Sequence, residues 1–281
     1  MHPVLFEIGP LTVTSYGVAL VLSFALGIHV AARRAERVGI APDRIVDVGI
    51  LILLTSLVGS RLLWVLTHRE EVASQGGVLA AMLPWSGERY GLVGLSMQGG
   101  VAFAIVTAVA YLLWRRVPFL PAFDAMAPTV SLGEGITRIG CFLNGCCHGL
   151  VCDWPWGVRF PVDSQAHTLF GDVAVHPTQL YASIAGFAIF ALLSWKSRWP
   201  HFPGAVVCGW LVLFGIQRVV VDVFRYYEAS VTLFHVGSVP FTVNTVVALA
   251  LCAAGAAGYA VLAASGGSSD AKRQRPAGSA A

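Results

Sequence analysis

The sequence predicts an all-α, polytopic membrane protein with about seven transmembrane helices and a small extracytoplasmic loop region. Three observations predict it: a shortage of charge, repeated apolar stretches of spanning length, and basic residues clustered beside those stretches. Of the 281 residues, 56% are hydrophobic and 12% charged, whereas soluble domains carry about a quarter charged residues. An apolar helix needs roughly 20 residues to cross the hydrocarbon core. The net charge of +3 does not point to nucleic acid, because the lysines and arginines sit in short groups next to apolar segments. The opening "MHPVLFEIGP" has neither a basic n-region nor a small-residue cleavage site, so no cleavable signal peptide is expected. A single domain is expected over residues 1–264, followed by a disordered polar tail, "SGGSSDAKRQRPAGSAA", over 265–281.

The seven spans run about 12–32, 45–66, 94–114, 120–143, 177–195, 204–224 and 240–263. The first ends at Arg33 and Arg34, and the third at Arg115 and Arg116. The fourth is the weakest, interrupted by Pro128 and by Gly133, Glu134 and Gly135. Such interruptions are tolerated at membrane depth where they face protein or a wet cavity, so a broken or re-entrant helix is expected there. The fifth opens on "HPTQLYASI", with Pro177 at the first turn, where its missing N–H does no harm. Basic residues set the orientation. Eleven fall on one side of the spans (33, 34, 37, 44, 115, 116, 196, 198, 272, 273 and 275) and four on the other (69, 89, 159 and 225). The N-terminus is therefore expected outside and the C-terminus in the cytoplasm. Long loops at about 67–93, 144–176 and 225–239 then lie outside, with Trp85, Trp154, Trp156, Tyr90, Tyr226 and Tyr227 suited to the interface.

Ionisable residues inside spans usually face the bundle interior and mark a working site. Here they are Arg61, the pair Glu134 and Arg138, and the set Arg218, Asp222 and Arg225. Glu134 with Arg138, and Arg218 with Asp222, are spaced i,i+4 and share a helix face. Internal salt bridges are one reading. The other is an anion brought by a ligand, because arginines outnumber acids on these helices and the guanidinium fork suits phosphate. A phospholipid headgroup is the commonest phosphate in this setting. His176, Gln179 and Tyr181 either hydrogen-bond such a headgroup or only anchor their helix.

Four of six cysteines, Cys141, Cys146, Cys147 and Cys152, gather around the outer end of the fourth span. Cys208 and Cys252 read as apolar filler. A disulfide pinning the loop is the favoured reading, given an oxidising outer face. Zinc with His148 as a fourth ligand and a catalytic thiol are its rivals, although C-x4-C-C-H-x3-C is no standard zinc spacing. No metal or cofactor is expected.

These segments together resemble the prolipoprotein diacylglyceryl transferase family, a seven-helix membrane enzyme. The family carries "D-P-V-I-F…I-G-P…Y-G", a signature near "G-R-I-G-N-F-I-N-G-E-x-W-G", "H-P-S-Q-L-Y-E" and an arginine helix ending "V-E-F-F-R". The matching stretches here are "HPVLFEIGPLTVTSYG", "TRIGCFLNGCCHG", "HPTQLY" and "QRVVVDVFR", in the same order over almost the whole chain. The resemblance implies transfer of diacylglycerol from phosphatidylglycerol to the lipobox cysteine of a prolipoprotein signal peptide, at the bacterial cytoplasmic membrane. Glycerol phosphate is released. By the same resemblance, Arg138 holds the lipid phosphate and Arg218 stabilises the departing one. Tyr16 and Asn144 line the site, and Asp222 replaces a family glutamate.

Several positions depart from the family. Gln98-Gly99-Gly100 stands for its histidine-glycine-glycine motif, and an amide cannot act as base near neutral pH. Cys141 stands for its asparagine, Cys146 for its glutamate and His148 for its tryptophan. Thr137 and Ala182 replace a glycine and a glutamate. If the chain is a transferase, His148 is the preferred substitute base and His176 the second. The alternatives are a phospholipid-binding or transport bundle that lost the chemistry, and a membrane thiol oxidoreductase using the cysteines. The latter lacks a C-x-x-C pair.

Overall fold

A computed structural model describes residues 3–9, 11–74, 85–86, 89–90, 96–162, 164–199, 201–227, 232–236 and 239–273. Among the described residues are seven long helices: α1 (Ser15–Glu36), α2 (Pro42–Thr67), α4 (Met97–Trp114), α5 (Phe119–Asn144), α7 (Thr178–Lys196), α8 (Ala205–Phe224) and α9 (Val243–Arg273). Two short ones, α3 (Arg69–Ser74) and α6 (Gln165–Phe170), lie in connections. All but α5 among the long helices are long and apolar enough to cross a membrane. Side chains such as Val21, Leu54, Val106 and Val261 are exposed, as a bundle solvated by lipid requires.

Small strands cap the helix ends. The antiparallel hairpin β1 (Val4–Ile8) and β2 (Leu11–Thr14) joins β3 (Trp85–Ser86) and β4 (Arg89–Tyr90) in the order β1-β2-β4-β3. A second hairpin, β5 (Thr232–Val236) and β6 (Val239–Thr242), leads into α9. The segment 145–177 folds over the same end through bridges of Val151 and Val158 to Val175, and of Gly149 to Arg225. Phe160, Ala166 and Val175 form its buried core.

The fourth expected span, α5, is one continuous helix, not a broken or re-entrant one. Pro128 supplies no N–H to the carbonyl of Asp124, four residues back. Arg34 of α1 compensates: its Nη2 donates to the Asp124 carbonyl at 3.4 Å and its Nε to the Ala125 carbonyl at 3.1 Å. The same guanidinium also reaches Ser194 and Ser197 at the end of α7. Arg34, counted above only as a topology signal, thus carries the proline across. Helix α5 packs against α1, α7 and α8, so its charges face protein.

The start of α8 depends on α5 as well. Its first N–H groups have no partner within the helix, and Gly204 precedes it at φ 96°. The buried Asp124 carboxylate caps it, accepting from the Gly204 N–H at 2.6 Å and the Val207 N–H at 2.8 Å. Replacing Asp124 with alanine is expected to cost about 1–3 kcal/mol, the price of buried donors left unpaired. A thermal unfolding midpoint in detergent equal to wild type would refute this capping role.

The last helix runs through Arg273, past the boundary expected at residue 264. An apolar helix already formed extends at the low cost of propagation. Residues 274–281, the rest of the expected tail, lie outside the described residues, as do most of the 67–93 loop and its Gly91–Leu95 approach to α4.

Candidate active site

A polar seam runs along α5 between α7 and α8. Both ion pairs anticipated from i,i+4 spacing form within it. Arg138 Nε lies 3.8 Å from Glu134 Oε1, and Arg218 Nη2 lies 3.2 Å from Asp222 Oδ1. The helices that carry them are joined, because Gln217 Nε2, beside Arg218 in the chain, donates to Glu134 Oε1 at 3.3 Å. Tyr227 donates its hydroxyl to Asp222 Oδ1 at 2.7 Å and accepts from Arg218 Nη2 at 3.3 Å. Arg225 stacks over the Tyr227 ring at 5.2 Å. Three guanidiniums therefore meet two carboxylates, and the seam keeps an excess positive charge.

Acceptor atoms are in excess too. Glu134 Oε2, Gln179 Oε1, Gln217 Oε1 and Asp222 Oδ2 are buried with no hydrogen-bond partner among the described residues. Such groups are expensive unless something donates to them. A ligand bearing both a phosphate and hydroxyl groups satisfies the two excesses together.

The cysteines sit at the cap end of this seam. Gly145 ends α5 in the left-handed region at φ 74°, with its N–H on the Cys141 and Phe142 carbonyls, a turn that glycine makes without a Cβ clash. Cys147 follows at φ 61°, uncommon for a residue with a side chain. This double reversal folds Cys146 and Cys147 back over Cys141, and the three sulfurs lie within 4.8 Å of one another. Helix α7 holds the turn: Thr178 Oγ1 donates to the Cys147 carbonyl at 2.9 Å and Gln179 Nε2 to the Cys146 carbonyl at 2.7 Å. The Cys146 thiol donates to the Cys141 carbonyl at 3.7 Å, and Arg138 and Asn144 lie within electrostatic range of Cys147 and Cys146. Tyr16, on α1, borders the cluster within electrostatic range of all three cysteines and Arg138. Hydrogen bonds from Cys141 and Cys146, reinforced by the Arg225 and Arg138 charges, pull the Cys147 thiol well below the usual thiol range.

Two expectations need correcting here. All six cysteines are free, so the favoured loop-pinning disulfide is not formed. The anticipated cluster of four is also a cluster of three: Cys152 is buried beside Gly157 and Tyr181. The extended stretch after His148, hydrogen-bonded to residues 174–176, carries it away.

A model of the prolipoprotein diacylglyceryl transferase family matches residues 3–261. The chain belongs to this family. Several relatives bear the name phosphatidylglycerol–prolipoprotein diacylglyceryl transferase. One from Pseudoalteromonas translucida is 31% identical over 238 residues, 83% of this chain and 84% of its own. One from Parasynechococcus marenigrum is 30% identical over 230 residues, 79% and 80% of the two chains. A third, from Clostridium tetani, is 28% identical over 225 residues, 80% and 86%.

Within this diacylglyceryl transferase family member, the remaining candidates separate. Gln179 is 1% exposed and faces the cysteine turn. His176 and Tyr181 instead build an aromatic cluster with Trp154 and Phe224. His176 Nδ1 lies 3.1 Å from the Tyr181 hydroxyl, which also accepts from Trp156 Nε1 at 2.9 Å. Burial there pushes His176 toward its neutral form. Gln98 is exposed at the start of α4, accepting from the Ser96 hydroxyl.

His148 adjoins Arg225 through the backbone, its carbonyl accepting from the Tyr226 N–H at 3.3 Å, while its ring packs among aromatic side chains. It is 3% exposed, stacked on Tyr226 and edge-on to Phe170, with Nδ1 at 3.2 Å from the Gly149 carbonyl. These contacts show a packing role for the ring, and a transfer assay decides whether it also acts as the base. His148→Phe, which preserves the stack, is expected to keep near-native transfer. A fall within the roughly 10²- to 10⁴-fold range of a lost general base would reverse that assignment.

Sequence reasoning did not single out Gln217 as a site residue, and it read Tyr227 only as interfacial. Gln217 stands beside Arg218 in the arginine stretch, and that adjacency was its signal. Tyr227 lies beyond the end of α8, where no helical spacing points back to Asp222.

Proposed function

We propose that this chain transfers the diacylglyceryl group of phosphatidylglycerol to the lipobox cysteine of prolipoprotein signal peptides, releasing glycerol phosphate. The observation that carries this is the seam: an excess guanidinium charge and unpaired buried acceptors lie between membrane-spanning helices of a diacylglyceryl transferase family member. Arg138 binds the lipid phosphate, and Arg218, steadied by Asp222 and Tyr227, meets charge as it develops on the leaving phosphate. Such stabilisation is commonly the largest single contribution to rate. Glu134, Gln179 and Gln217 accept from the headgroup hydroxyls, while Tyr16 and Asn144 border the path of the incoming thiol. Arg225 adds to the positive field from the cap side. Surrounding membrane lipids solvate the rest of the bundle.

The test is transfer of radiolabelled lipid from phosphatidylglycerol to a lipobox peptide by the purified full-length protein. Label on the cysteine peptide and none on its serine counterpart supports the reading. Binding of lipid without transfer favours the phospholipid-binding bundle instead.

In this reading the chain is a multi-pass protein of the bacterial cytoplasmic membrane, with the N-terminus and the 144–176 loop outside and the C-terminus in the cytoplasm. The eleven-to-four division of basic residues supports this orientation. Reporter fusions at Asp43 and Asp270 are expected to report cytoplasm, and one at Ser164 the outer side. An outer signal at Asp270 would sink the orientation.

A further inference from the structure

We propose that Cys141, Cys146 and Cys147 hold a thiophilic divalent cation of the zinc class, whose open fourth position takes the thiol of the incoming prolipoprotein cysteine. The second half rests on the transferase reading. The first stands on geometry alone.

Around a tetrahedral zinc with Zn–S bonds of about 2.3 Å, the sulfurs stand about 3.8 Å apart. The three thiols here all lie within 4.8 Å of one another, about 1 Å from that spacing at most. A disulfide fits the same residues less well. Cys146 and Cys147 are neighbours across a trans peptide, which holds their Cα atoms about 3.8 Å apart, below the usual disulfide span of about 4.4–6.8 Å. Pairing either with Cys141 leaves an odd thiol in the cluster. The backbone is already committed to the three-way arrangement: Gly145 and Cys147 are both left-handed, and Thr178 and Gln179 pin the Cys147 and Cys146 carbonyls.

The other anticipated ligands stand apart from the cluster of three: the His148 ring packs on Tyr226 and Phe170, and Cys152 is buried beside Gly157. Three protein ligands with a fourth position open is the pattern of a catalytic zinc rather than a structural one.

That position adjoins Arg138, where the lipid phosphate binds. A thiol must become a thiolate to react, and metal ligation drives that deprotonation near neutral pH. The incoming S–H gives its proton to water on binding. Its sulfur then forms the S–C bond to the glyceryl carbon as the bond from that carbon to the phosphate oxygen breaks. The electron pair leaves with glycerol phosphate, and no oxidant or reductant is needed.

The test uses full-length protein purified under reducing conditions. Zinc is measured by mass spectrometry, and the apoprotein is titrated with cobalt(II), whose thiolate charge-transfer band reports sulfur ligands. Wild type is expected to hold one metal per chain. Cys141→Ser, Cys146→Ser and Cys147→Ser should each lose most of it, whereas Cys152→Ser and Cys208→Ser should keep it. Adding a lipobox-cysteine peptide should strengthen the cobalt band, and its serine counterpart should not. A wild type that binds no more metal than the triple serine variant overturns the proposal. So does a disulfide among the three residues in unreduced protein, or a cobalt band indifferent to the cysteine peptide. Metal-loaded wild type that transfers no labelled lipid counts against the transferase reading and leaves metal binding by the three thiols standing.

Discussion

Arg138→Lys is expected to lower kcat/KM for lipid transfer by on the order of 10²-fold or more, the size of effect seen when one donor to a developing anion is removed. The substitution keeps the positive charge, so charge alone is not what is lost. Arginine presents five donors in a rigid planar fork, whereas the lysine ammonium is a compact point charge. Arg138 already faces Glu134 at 3.8 Å on one side and the Cys147 thiol on another, and its fork still has donors to offer a phosphate. A lysine at the same site must choose among these partners. Transfer by Arg138→Lys at the wild-type rate, in protein with an unchanged unfolding midpoint, would mark Arg138 as a packing residue. Arg225→Ala is the milder neighbour, because Arg225 rests on the Tyr227 ring near the mouth of the seam.

Arg218→Ala is expected to remove transfer to a similar extent, about 10²- to 10³-fold, and to destabilise the protein as well. Asp222 is 3% exposed, and without Arg218 its carboxylate keeps, among the described residues, only the Tyr227 hydroxyl as a donor. Removing one partner of a buried ion pair typically costs about 3–5 kcal/mol. The two effects separate in a double variant. Arg218→Ala with Asp222→Asn removes both charges, so the unfolding midpoint should recover while transfer does not. Recovery of both together would show that Arg218 only balances Asp222 and has no role at the leaving phosphate.

Much of this site was readable before any coordinates. The ion pairs Glu134–Arg138 and Arg218–Asp222 follow from i,i+4 spacing, which the helix itself enforces. Six of the seven long helices follow from apolar length. The packing of His148 is not legible in the sequence, because a ring's neighbours, here Tyr226 and Phe170, come from elsewhere in the chain. Pro128 was misread as a break for the same reason, since the donor that rescues its helix, Arg34, lies 90 residues away from Asp124.

What the sequence determined by itself is whatever is local: helix, span, polar face and family, each set by periodicity and composition over a few turns. What only the tertiary structure decided is which polar residues share a space. Two left-handed residues, Gly145 and Cys147, send three thiols together and Cys152 apart. The packing of α5 against α7 and α8 then places that cluster against Arg138 and links Glu134 to Gln217. Neither outcome can be read from spacing, because each turns on long-range contacts and on single backbone angles that many sequences could have closed another way.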